Sequence, residues 1–112
     1  SSAIPMLEQM LRHPNSNIRF SASYALGQMG EAAVPVLINA LNTGKADVRI
    51  PAAMALREIG RVGLSAVPAL VKALDDQNPE VRRAAAFALE KMSTPEADEA
   101  LRHYYDSQPK EA

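Results

Sequence analysis

One pattern recurs three times along the chain, and its period restricts the possible folds more than any other feature. Ile4-Pro5, Val34-Pro35 and Val67-Pro68 open the copies; Ala25-Leu26, Ala55-Leu56 and Ala88-Leu89 close them. The opening prolines lie 30 and then 33 residues apart, and Leu26, Leu56 and Leu89 reproduce both intervals. From Leu11 to Ile18, Leu41 to Val48 and Leu74 to Val81 the step is 7 in every copy, so the 3 extra residues fall in the segment from Gly60 to Ser65. Loops absorb such length differences. A period of about thirty residues is that of helical solenoids, whose units bury their apolar faces only by stacking on one another.

Each copy reads as two helices. In the first, Val67, Leu70, Val71 and Leu74 recur at i, i+3, i+4 and i+7, the spacing of one helical face. The opening proline sits in the first turn, where its missing N–H has no intrahelical bond to lose. A polar turn, Asp75-Asp76-Gln77-Asn78, then leads into the second helix, with Asn78 as N-cap and Pro79 in the first helical position. That helix buries Val81, Ala85, Ala88, Leu89 and Met92; the matching columns hold Ile18, Ala22, Ala25, Leu26 and Met29, and Val48, Ala52, Ala55, Leu56 and Ile59. Gly30 and Gly60 stop their helices. Gly27 and Gly63 are read as helix-end or loop glycines, and no glycine-rich phosphate loop is present. With no alternating strand pattern, the chain is expected to be all-α.

The stretch from Ala66 to Ala85, with its Val-Pro opening, Asp-Asp-Gln-Asn-Pro turn and Val81-Arg82 start, resembles the HEAT-like repeat of phycobilin lyase subunits and of many bacterial scaffold proteins. The resemblance covers nearly the whole chain. It implies a right-handed α-solenoid of three helix pairs plus a C-terminal capping helix, with units of about 2–30, 31–63 and 64–93 and a cap over 94–106. Residues 1–106 then form the repeat domain and 107–112 a polar tail. It also implies that the second helices line a concave face and that the chain binds other macromolecules. The repeat's arginine stands at Arg19, Arg49 and Arg82, but its turn aspartate is kept only at Asp76, with His13 and Thr43 in the matching places. A continuous aspartate–arginine ladder is therefore not expected, and each arginine is read as pairing with nearby carbonyls or carboxylates.

Several function classes fall away on chemistry. Twelve basic against 13 acidic residues supply no basic field for a phosphate backbone, so nucleic acid is not an expected partner. The chain has no cysteine, hence no thiolate ligand or cysteine nucleophile. Its longest apolar-looking stretch, Ala32 to Leu41, is about half a bilayer span and contains Pro35 and Asn39. No membrane segment and no basic-then-apolar export signal are read, and a cytoplasmic location is expected. Ser1-Ser2 is either a helix cap or an appended remnant. His13 and His103 are the only histidines, and neither begins the His–Glu pair by which HEAT-like metal hydroxylases hold iron, so no metal is expected. Asp75-Asp76 is explained by the charge preference of a helix N-terminus, and Ser107, His103 and Asp106 as polar tail residues. No catalytic residue and no cofactor are assigned; the chain is read as a non-enzyme.

The informative departure lies on the second helices. Two and six residues after each Val/Ile anchor stand Phe20 and Tyr24, Ile50 and Met54, and Arg83 and Phe87, and all but Arg83 are apolar. Residues four apart lie above one another on a helix, so stacking aligns the pairs into a stripe. Either superhelical curvature buries this stripe or it is a binding groove. At about 8–10 Å per layer, three layers would hold roughly 8–9 residues of extended peptide or 18–20 of helix. Arg57, Arg83 and Lys91 on the same side would pair with acidic groups of a bound segment.

The leading expectation is thus a protein-interaction scaffold that grips a protein or peptide segment through Phe20, Tyr24, Ile50, Met54, Arg57, Arg83, Phe87 and Lys91. A bilin lyase-like or chromophore-handling subunit is the alternative the resemblance implies. A third reading is a fragment of a longer solenoid, self-associating or joined to upstream repeats through Met6 and Met10, which replace smaller residues of the other copies. Pro51 inside the second copy's second helix predicts a late or bent helix start, with Asp47 as cap.

Overall fold

A computed structural model describes residues 3–108; Ser1-Ser2 and positions 109–112 of the polar tail lie outside the described residues. The first pair is α1 (Ala3–Leu11) and α2 (Ser16–Met29), the second α3 (Val34–Thr43) and α4 (Ala46–Ile59), the third α5 (Val67–Ala73) and α6 (Pro79–Met92), and α7 (Pro95–Ser107) follows alone. No strand occurs among the described residues. Two 3-10 segments join the pairs, Gly30–Ala33 with 4 residues and Gly60–Ala66 with 7, so the loop absorbs the difference of 3 that the period shows.

The helices start and stop for local reasons. Asn15 and Asn78 cap α2 and α6, each side-chain oxygen accepting two backbone N–H bonds, at 2.8 and 3.3 Å. Thr94 caps α7 by accepting from Ala97 N at 3.0 Å. At Gly30 and Gly60 the chain leaves α2 and α4 with φ of 70° and 68°, a conformation costly for any residue with a Cβ.

The stack has two layers. In one, α2 packs on α4 and α4 on α6; in the other, α3 packs on α5 and α5 on α7, while α1 rests on α2. The core runs between them through Leu11, Leu26, Leu37, Leu56, Leu70 and Leu89, all fully buried. Alanines at 22, 52, 55, 85 and 88 let the helices approach closely. α7 covers the far end with Ala97 and Leu101 buried, whereas in α2 the column residues Ile18, Ala25 and Met29 stay half-exposed.

Three local expectations are corrected. The helix carrying Pro51 does not start late: Val48 N and Arg49 N both bond to the Lys45 carbonyl, at 2.9 and 2.8 Å, and Lys45 rather than Asp47 is the N-cap. Pro51 is buried inside α4, and its carbonyl accepts a 2.8 Å bond from the Ser23 hydroxyl of α2. Gly27 is not a loop glycine but a buried residue within α2, where a Cβ would stand 2.8 Å from Glu58 Cβ. Ser23 and Gly27, one turn apart, give α4 its close approach. At the other end Asp106 and Ser107, read as polar tail residues, continue α7.

Candidate recognition surface

The arginine column is structural. Arg19 Nη1 donates to the carbonyls of His13 and Pro14, both at 2.8 Å, and lies 4.0 Å from Asp47 of the next unit. Arg49 Nη1 donates to the Gly44 carbonyl at 2.8 Å, while its Nη2 and Nε stand 3.0 and 2.7 Å from the two carboxylate oxygens of Asp76. Arg82 Nη1 donates to the carbonyls of Asp76 and Gln77, at 2.7 and 3.2 Å. Each arginine thus ties down the turn before its own helix, and the first two also reach the next unit. Burial raises the pKa of Asp76, but the Arg49 hydrogen bonds, the Asn78 N–H and the charges of Arg49 and Arg82 outweigh it and hold the carboxyl below 3.8.

The apolar stripe has a different fate. Phe20, Tyr24, Met54 and Phe87 are 41, 64, 41 and 47% exposed, so these side chains are not tucked between layers. Ile50 is the exception, half-buried against the core. Arg57, Arg83 and Lys91 are exposed on α4 and α6. The structure brings Ile50, Met54, Arg57, Arg83 and Phe87 around one depression of about 240 Å³ between α4 and α6, with Glu80 on its rim. Arg57 lies over the Phe87 ring, 5.3 Å from its centre, a cation–π arrangement. Lys91 joins Arg57, Phe87 and Glu90 around a neighbouring hollow. Phe20 and Tyr24, on α2, line none of these depressions.

A second depression escaped the sequence reading. Between α6 and α7 a slot of about 320 Å³ is lined by Pro79, Arg82, Arg83, Ala86, Phe87, Tyr104, Tyr105 and Gln108. Tyr105 donates its hydroxyl to Glu90, and this bond, with burial and the Glu90 charge, pushes the phenol up to about 12. Tyr104 and Tyr105 meet edge to face with ring centres 5.2 Å apart. The signal for it in the sequence is the adjacent Tyr104-Tyr105 pair within the 94–106 cap.

Elsewhere, Met6 is exposed and Met10 half-buried against the core, so the two methionines do not form one exposed pair. Ser107 donates to the Tyr104 carbonyl at 2.8 Å, and no hydrogen bond joins it to His103 among the described residues. No cluster of metal-ligating groups occurs among the described residues, and no described helix is long and apolar enough to cross a membrane.

The HEAT-repeat family matches the sequence twice, over residues 1–57 and 34–112. Among solved structures, a chain from the complex of CpcE and CpcF of phycocyanin lyase from Nostoc sp. PCC7120 is similar at 30% identity with a TM-score of 0.74. The similarity covers 94% of this chain and 64% of that one, so the present chain spans less than two-thirds of that chain's length. No curated protein matches the sequence.

Proposed function

From the premise that the chain belongs to the HEAT-repeat family, we propose that it is a non-enzymatic interaction module whose second-helix layer, the expected concave face, holds a protein segment. Phe20, Tyr24, Ile50, Met54 and Phe87 supply the apolar contact, with Arg57, Arg83 and Lys91 at its margins. One observation carries this reading: four large apolar side chains on three successive helices are exposed on the layer that contributes the stripe. Contiguous apolar surface on a soluble protein is normally covered by something, and aromatic side chains contribute disproportionately to interfaces. The similar phycocyanin lyase chain was solved as a complex of two named proteins, which supports a protein partner.

The test is a double substitution, Phe20→Ser with Phe87→Ser. Because both side chains are solvent-facing, the thermal midpoint should stay within about 4 °C of the parent. Dodecapeptides recovered on the parent from a random displayed library should be lost. A large drop in midpoint would assign the two rings to the core and sink the reading.

The similarity to a phycocyanin lyase chain favours a second reading, a chromophore-handling subunit. The aromatic slot with its arginines suits a tetrapyrrole bearing carboxylates. Mixing with bilin distinguishes the two: a shifted absorbance band that Phe87→Ser abolishes supports the second reading, and an unchanged spectrum removes it.

A further inference from the structure

The two larger depressions on the α4–α6–α7 face share a wall, since Arg83 and Phe87 line both. They flank the α6 ridge that carries both residues. Their charges are unequal. The slot between α6 and α7 is lined by two arginines and no acid. Arg82 is committed to the carbonyls of Asp76 and Gln77, whereas Arg83 has no hydrogen bond or ion pair among the described residues. In the depression between α4 and α6, Glu80 faces two cations, Arg57 and Arg83. Glu90, the other acid nearby, accepts a hydrogen bond from the Tyr105 hydroxyl and keeps its charge there. At the α2 end Phe20 and Tyr24 offer exposed apolar surface but line neither depression. The face therefore has apolar walls with one unpaired guanidinium at their junction.

We infer that the partner is an acidic protein segment that seats an apolar anchor among Phe87, Tyr104 and Tyr105 and places a carboxylate on Arg83. This rests on, and narrows, the proposed function. A guanidinium presents a planar fork that fits a carboxylate with two parallel hydrogen bonds. A segment that crosses the α6 ridge from one depression to the other reaches Ile50 and Met54, with a second anchor about one helix spacing away, roughly 8–10 Å. The centre of recognition lies at the C-terminal half of the stack, and α7 contributes to it directly.

The experiment is selection of random displayed dodecapeptides on the immobilised full chain, repeated on Arg83→Glu. The expected pool pairs Asp or Glu with Phe, Tyr or Leu, and the charge preference inverts to Lys and Arg on the variant. Resynthesised winners should associate roughly tenfold more slowly with Arg83→Glu and show a steeper salt dependence with the parent. Tyr105→Ala should weaken them at least as much as Tyr24→Ala. An enriched pool without acidic bias, or acidic winners indifferent to Arg83→Glu and Tyr105→Ala, overturns this inference while leaving segment binding intact. Absence of any enrichment over bare support overturns both.

Discussion

The Arg49 guanidinium spans two units, holding the Gly44 carbonyl of its own turn and the Asp76 carboxylate of the next. Because Asp76 is held below its ordinary 3.8, the folded state binds this proton less readily than the unfolded chain. Its contribution is complete above about pH 4 and is lost as pH falls through the depressed folded value. Asp76→Asn should therefore cost about 1.5–3 kcal/mol at neutral pH, and denaturant titrations should show the gap closing in strong acid. Tyr105 shows the opposite sign: with its phenol raised to about 12, its contribution is complete below the ordinary 10.0 and is lost as pH rises through about 12. Following phenolate absorbance, one of the 3 tyrosines should titrate late, and Tyr105→Phe should remove that component. The structural reading of the arginines was legible, since carbonyl pairing follows from one arginine per turn. The Arg19–Asp47 approach was not, because the acid had moved 4 residues from the Thr43 position and out of the repeat register.

Among the elements, α4 departs most from its counterparts. Asn15 and Asn78 cap α2 and α6, but the same position before α4 is Lys45, whose side chain makes no cap bond. Its backbone is already extended at φ −75° and ψ 170°, the conformation an N-cap needs. Lys45→Asn should thus stabilise the fold by about 0.5–2 kcal/mol, read as a rise of several degrees in thermal midpoint. Helix identity and order were legible because the 3.6-residue apolar period and the proline and glycine punctuation agree in all three units. The start of α4 is not legible because Pro51 reads locally as a helix breaker, whereas tertiary packing holds it in the helix interior, buried and with its carbonyl bonded to Ser23. Gly27 was misplaced for the same kind of reason. Its value is the closeness of α2 to α4 at Glu58, a property of the pair that neither helix announces alone.

At the scale of the whole molecule, stacking turns residues thirty or more positions apart into neighbours on one face. Sequence periodicity located the exposed positions of that face at Phe20, Tyr24, Met54 and Phe87. It could not locate the depressions, which depend on how α7 leans against α6 after the repeat has ended. Tyr104 and Tyr105 accordingly read as cap residues, although both line the larger aromatic slot. Recognition belongs to the layer of α2, α4 and α6 together with the side of α7 that meets α6. Amide chemical-shift mapping of the labelled chain, titrated with a peptide selected on it, addresses this most directly. Perturbations concentrated around Arg57, Arg83, Phe87 and Tyr105 are predicted; perturbations centred on α1, α3 and α5 would contradict the account.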